Sequence, residues 1–285
     1  MKYHLIILLT IISPYLFSQT QEEINQIDSL EQSFKYTTED IILRNGIGTV
    51  KIPKGFKYLD AQQAEYVLTE LWGNPKGTDM TLGFLLREDQ KIFGENGYVF
   101  NIQYDEIGYV KDDDADDIDY SDLLETMQEE AEEVNKERVK QGYQPISIVG
   151  WASKPFYDKK RNILHWAKEI KFGNNDINTL NYNIRVLGRK GVLVLNAIST
   201  MEDIGYVKKD IHEVLEIVQF NEGYKYDNFN PELDDVAAWS IGGLVAGKVL
   251  AKVGFFALIV KFWKIGAIAV AGFFSVLWKR FKKKK

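Results

Sequence analysis

Four successive stretches in the middle of the chain read as strands: apolar and polar residues alternate through Leu180–Leu187 and most of Ile163–Phe172, and at the start of Ile146–Trp151, while Val192–Ile198 is a short apolar run. Successive side chains of an extended strand point to opposite faces, so a period of two predicts strands. The joints between them, Asp158-Lys159-Lys160-Arg161, Gly173-Asn174-Asn175-Asp176 and Gly188-Arg189-Lys190-Gly191, are short and rich in turn residues. Connections this short make neighbouring strands antiparallel. Upstream, Gly48–Ile52, Thr81–Arg87 and Tyr98–Asp105 read as further strands, the first stopped by Pro53 and Gly55.

Helical spacing appears between these runs. Asp60 is placed to cap a helix over 61–71, with Ala64, Val67, Leu68 and Leu71 on one stripe. Leu123, Leu124, Met127, Ala131 and Val134 predict a second helix reaching Lys140, and Val207, Ile211, Val214, Leu215 and Val218 a third over 206–218. Ile24, Ile27, Leu30 and Phe34 suggest a short amphipathic helix in 19–40, ahead of a packed domain over 41–222 and a polar linker over 223–235. The expected fold class is α+β, an antiparallel sheet flanked by helices, plus a C-terminal transmembrane helix or helical hairpin.

That last expectation comes from residues 236–278, which hold no acidic residue and are dominated by Ala, Val, Leu, Ile, Phe and Gly. Lys248, Lys252, Lys261 and Lys264 interrupt the run, and a lysine at the bilayer centre costs about 2.5–3.5 kcal/mol unless it snorkels to the interface. Trp263 and Trp278 fit an aromatic belt, and Gly243, Gly247 and Ala251 form a small-residue ladder suited to close helix pairing. A single span and a hairpin both accommodate these residues, and a buried soluble hairpin is the bland alternative. Residues 279–285, six of them Lys or Arg, form a basic tail that the positive-inside rule places in the cytoplasm for a single span. At the other end, Lys2 precedes an apolar run, and the small residue Ser18 stands at the break in composition before Gln19, the pattern of a signal peptide over 1–18. Leu16 is large for its position before the cut, so an uncleaved anchor also fits.

Charge sharpens the division. All 41 acidic residues lie in 19–235 with 24 of the 35 basic ones, so that part carries −17. A surface this acidic excludes nucleic acid as a partner, since phosphate neutralisation needs a basic face. With no cysteine, thiol nucleophiles and thiolate-held metals are excluded too. Neither a G-x-S-x-G elbow nor an H-E-x-x-H pair occurs, and the loop-like Gly242-Gly243-Leu244-Val245-Ala246-Gly247-Lys248-Val249 lacks the hydroxyl that would hold magnesium. No cofactor is expected.

Three candidate sites follow. If Phe172 pairs with Leu180, then His165, Glu169, Arg185, Asn181 and Asn183 share one sheet face, with Trp166 on the other. His165, Glu169 and Arg185 could then act as acid/base and anion clamp, with Asn181 and Asn183 as ligand contacts; the simpler reading is the wet side of a sheet. Trp151 and Trp166, like Trp72 and Tyr157, belong either to the core or to a ligand groove. Asp112, Asp114 and Asp116 resemble a calcium loop without its glycine or its closing glutamate, and serve equally as the acidic start of a helix. His212 is expected on the surface. Glu106-Ile107-Gly108-Tyr109-Val110-Lys111 and Asp203-Ile204-Gly205-Tyr206-Val207-Lys208 echo one another, which suggests either two related halves or chance.

Longer strings carry a resemblance. Asn135-Lys136-Glu137-Arg138, Val149-Gly150-Trp151-Ala152, Leu164-His165-Trp166-Ala167-Lys168-Glu169 and the run Thr179 to Arg189 resemble a bacterial family of predicted membrane-anchored proteins with domain of unknown function 2167. The resemblance covers about Gly48 to the basic tail. It implies an exported domain with a C-terminal anchor, and no activity. A fainter likeness, from Ile52-Pro53-Lys54-Gly55-Phe56 onward, is to α/β/α sandwiches of the photosystem-II-accessory-protein type, a matter of fold alone. The expected protein is a non-catalytic envelope binding or assembly module in a bacterial inner membrane, its main domain periplasmic. Its expected partners are the membrane and either another protein or a second copy paired through the anchor helices. An enzyme using the His/Glu/Arg cluster and an ion sensor using the aspartates are the alternatives.

Overall fold

A computed structural model describes residues 28–71, 81–93, 97–140 and 144–246. The signal-peptide residues, Trp72 and everything beyond Ala246, including Gly247, Ala251, Trp263 and Trp278, lie outside the described residues. The chain divides into two units at Phe34. In the first, residues 28–33 are helical (α1), and the Ser33 hydroxyl donates to the Leu30 carbonyl at 2.6 Å.

The second unit is built on one sheet of eight strands: β1 (Tyr36–Thr37), β4 (Phe56–Asp60), β5 (Thr81–Arg87), β6 (Val99–Asp105), β11 (Val192–Thr200), β10 (Thr179–Leu187), β9 (Ile163–Phe172) and β8 (Ile146–Asp158), in that spatial order. Every neighbouring pair is antiparallel. The α+β class and the antiparallel sheet match the alternation in the sequence. A small sheet of β2 (Ile41–Ile42), β3 (Gly48–Val50) and β12 (Val218–Phe220) and a parallel pair of β7 (Tyr109–Lys111) with β13 (Val236–Ser240) complete the strands.

One face of the large sheet packs under helix α4 (Ile204–Val214). Tyr182, Ile184, Leu193 and Leu195 are buried there with Val207, Ile211 and Val214. Helix α2 (Ala61–Tyr66), continued by a π-helical turn to Leu71, lies along β5. Leu59, Phe84 and Leu86 project to the face opposite Tyr58 and Leu85, and both sets are buried, so the sheet has a core on each side. Asp60 caps α2 as expected, accepting from the Gln63 backbone N–H at 2.9 Å. Helix α3 (Tyr120–Lys140) packs on β8, and a short helix α5 (Ile241–Ala246) buries Ile241 and Val245 among Leu164, Trp166, Leu187, Val192 and Val194.

Several boundaries differ from the sequence reading. β4 is an extra strand, and β8 runs on to Asp158 through bulges. The expected linker is folded against the domain: Tyr226 is buried with its hydroxyl on the Val110 carbonyl at 2.7 Å, and Asp234 accepts from Arg189 Nε at 2.7 Å. The first residues of the expected anchor are folded into the domain as well. Residues 236–246 form β13 and α5, and Gly243 is buried in α5. Among the described residues, no helix is long and apolar enough to cross a membrane. Nor is the echoed hexapeptide a structural repeat, since Tyr109–Lys111 is a strand while Gly205–Lys208 is the first turn of α4.

Two glycines are fixed by close approach. At Gly83, φ is +141° and an added Cβ would run into the Tyr58 ring; at Gly191 it would run into the Asp105 carbonyl. Both sit at the end of a strand ladder, where one backbone passes close to its neighbour.

Candidate functional site

The register between β9 and β10 decides which side chains can act together. Leu180 pairs with Glu169, three positions from the Phe172 pairing that the turn composition suggests. The loop is wider than a tight hairpin: Asn175 N–H closes a turn on the Phe172 carbonyl at 3.0 Å, and Asn178 then spans to Glu169 Oε1 at 2.5 Å. An odd offset exchanges the faces of the whole strand. His165 and Glu169 therefore share a face with Tyr182 and Ile184, while Arg185, Asn181 and Asn183 share the other with Trp166 and Lys168. The His165, Glu169, Arg185 cluster does not exist as one surface.

On its own side His165 is half-buried. Its Nδ1 lies 3.0 Å from the Tyr182 hydroxyl, the two rings are nearly parallel, and Phe156 leans on it at 5.6 Å. Burial, with help from the nearby Arg161 charge, pushes its pKa below the ordinary histidine value. Neutral, it packs as a stacked ring.

The other face is richer. Reading across the four central strands, Asn101 pairs with Asn196, Asn196 with Asn183, and Asn183 with Trp166. Three amides and an indole thus stand side by side at one level of the sheet, with Gln103, Val194 and Arg185 in the level toward α5 and Ile198, Asn181 and Lys168 in the level away from it. Asn101 and Asn183 are buried, so their amides must be satisfied within the protein. Asn101 Oδ1 accepts from the Thr81 hydroxyl at 2.6 Å, and Asn183 Nδ2 donates to Asn181 Oδ1 at 2.7 Å.

Arg185 lies flat across this row. Its Nη1 donates to Asn196 Oδ1 at 3.0 Å and to the Ile184 carbonyl at 2.9 Å, and its guanidinium carbon sits 5.2 Å from the centroid of the Trp166 ring. Burial pulls the guanidinium pKa down to about 10 against the opposing pull of Asp105. Lys168 is brought down to about 8 by burial and by the Arg185 charge. Asp105 is itself raised by burial, which Arg185 partly offsets. Beneath the guanidinium, Trp166 Nε1 is a buried donor with no acceptor among the described residues.

Other expected residues are occupied structurally. Trp151 donates to the Tyr120 carbonyl at 3.0 Å and packs against α3. The aspartates of the acidic run are spent on separate contacts. Asp112 accepts from the Tyr157 hydroxyl at 3.0 Å, Asp114 accepts from the Ile241 and Gly242 N–H groups at 3.1 and 3.0 Å, and Asp116 pairs with Lys159 at 2.8 Å. Among the described residues they do not converge on one point, and no group of acidic or histidine side chains is arranged to hold a metal. It is Asp119 that starts α3, accepting from Ser121 N–H at 2.8 Å. His212 is exposed. Asn101, Asn196 and Lys168 join the site without being marked by the sequence pattern. The available signal is an amide interrupting the apolar run Val192–Ile198, but only the cross-strand register shows that three such interruptions line up.

Fold and site together define a class, an α+β domain whose large antiparallel sheet carries an amide row and two cations on one face. The particular family follows from its sequence: residues 35–276 match the family model described as "Protein of unknown function (DUF2167)", and the chain belongs to that family. No curated protein matches it. Among solved structures, the solution structure of cyanobacterial PsbP (CyanoP) from Synechocystis sp. PCC 6803 is similar at a TM-score of 0.37 and 9% identity, over 65% of this chain and 92% of that one.

Proposed function

We propose that this chain is a non-catalytic binding or assembly module of a bacterial cell envelope. In this reading residues 1–18 direct export, the apolar run continuing from 247 to 278 holds the chain in the inner membrane by one span or a hairpin, and the acidic domain faces the periplasm. The basic tail of 279–285 then lies in the cytoplasm if there is one span. A protein partner docks on the domain or on the anchor helices.

The observation that carries the reading is the separation of His165 and Glu169 from Arg185 by the thickness of the sheet. Proton transfer and anion binding at one centre need those groups within hydrogen-bond reach of one another's substrate. What the Arg185 face offers instead is a set of fixed donors and acceptors, suited to recognition. The apolar, lysine-flanked C-terminal run and the absence of acidic residues from it support the membrane attachment.

Cross-linking the full-length protein in its native membrane, then identifying what travels with it, tests the module directly. The expected result is a defined protein partner whose recovery is unchanged by His165→Ala. A His165→Ala strain that loses the cellular phenotype at normal protein level would restore the catalytic alternative. Recovery of the full chain in the supernatant of broken cells after high-speed centrifugation would remove the membrane attachment.

A further inference from the structure

The guanidinium of Arg185 has one edge committed and one edge open. Its Nη1 hydrogens go to Asn196 Oδ1 and the Ile184 carbonyl, and Nη2 reaches Asn183 Oδ1 only at 3.4 Å. Nε and the second Nη2 hydrogen meet no acceptor among the described residues. That Nε/Nη2 edge is the side of the fork that takes a carboxylate through two parallel N–H···O bonds. Arg185 is held in place for this, with Trp166 against its plane at 5.2 Å and the amides of Asn183 and Asn196 at its sides. Trp166 adds a second unfilled donor, since its Nε1 is buried with no acceptor among the described residues, and a buried indole N–H usually finds a partner. Lys168 stands on the same face two levels from Arg185, across the amide row, and Asp105 supplies the carboxylate field acting on Arg185.

We propose that this face binds a carboxylate group at the Nε/Nη2 edge of Arg185, with the Trp166 indole N–H as an additional donor. The proposal rests on the binding-module reading and gives its site a ligand chemistry. The carboxylate belongs either to a small organic acid or to a peptide, and either source satisfies the same donors.

The test uses the full chain in detergent micelles labelled with 15N, following the Arg185 Nε–H and Trp166 Nε1–H signals, each assigned by its own substitution. Succinate, its neutral diamide, sodium chloride at matched ionic strength, and a tetrapeptide with a free or an amidated C-terminus are titrated in turn. Expected are saturable shifts of both signals with succinate or with the free-acid peptide, and none with the diamide, the amidated peptide or chloride. Whichever of the two acids binds more tightly identifies the source. Arg185→Lys keeps the charge and loses the fork, and is expected to weaken binding about tenfold or more. Lys168→Met leaves the fork intact and is expected to weaken it less. No saturable shift up to about 50 mM of any carboxylate, equal shifts with chloride, or unchanged affinity in Arg185→Lys overturns the proposal, ten-fold affinity being the scale of one lost charged hydrogen bond. Normal partner cross-linking by a chain that binds no carboxylate sinks this inference while leaving the binding module standing.

Discussion

Asp210 shows how a single charge is kept inside this protein. It is buried on α4, where an unpaired carboxylate would be severely destabilising, and it is met by the Tyr98 hydroxyl at 2.5 Å and Arg87 Nη1 at 2.8 Å. Burial and this same carboxylate push the Tyr98 phenol well above its ordinary value. Asp210→Ala strands both partners and is expected to cost about 3 kcal/mol, read as a lower urea midpoint at unchanged slope. Lys168 has the opposite character. Its folded pKa, about 8, lies below the ordinary lysine value of 10.5, so between those limits the unfolded chain holds more protons than the folded one. Stability should therefore rise with pH across that window, with the full penalty of the charged form present below it. Lys168→Met is expected to flatten the rise in a pH series of thermal unfolding. The identity of these residues is legible in the sequence, but their surroundings are not, because Lys168 reads as an ordinary polar position of an alternating strand until its neighbours are known.

Among the elements, strands and long helices follow their periodicities closely. Ile163–Phe172 is a strand over the whole span its alternation predicts, α3 buries Met127 and Ala131 of its predicted stripe with Leu123, Leu124 and Val134 half-buried, and α4 buries Val207, Ile211 and Val214 while Val218 falls in β12. Where the pattern fails, a physical reason is visible. In β4 the sequence Phe56-Lys57-Tyr58-Leu59-Asp60 feeds cores on both faces, so its apolar residues do not alternate cleanly. β13 and α5 fall inside the expected anchor because composition cannot separate burial in protein from burial in lipid. Short as it is, α5 depends on Asp114, whose two carboxylate oxygens take the Ile241 and Gly242 N–H groups. Asp114→Ala should cost about 1 kcal/mol, the usual worth of a helix cap. Faster amide exchange confined to residues 241–246 would locate the effect there. At Gly191 the constraint is steric, and Gly191→Ala is expected to lower the melting temperature by several degrees, since the new Cβ would overlap the Asp105 carbonyl and the backbone must shift.

For the whole molecule, the folded domain reaches Ala246, beyond the point where the composition changes. Ile241 and Val245 are fully buried in the core over Trp166 and Val194, a contribution of about 1.5–3 kcal/mol each. A chain ending after Ala246 is therefore expected to keep its cooperative unfolding, and one ending after Asp235 to lose several kcal/mol and the β7–β13 pairing, a difference that denaturant titration of the two truncations would show. In the proposed arrangement the first truncation also leaves the membrane fraction while staying folded. The sequence by itself determined the strand and helix periods, the antiparallel order of the central hairpins, the acidic domain and the apolar basic-tailed end, because each is written in local spacing and composition. Tertiary structure alone decided the β9–β10 register, and with it whether His165 or Trp166 stands beside Arg185. A shift by an odd number of residues leaves the local pattern of each strand unchanged while turning every side chain to the opposite face, so only the packing of both faces against their helices could choose.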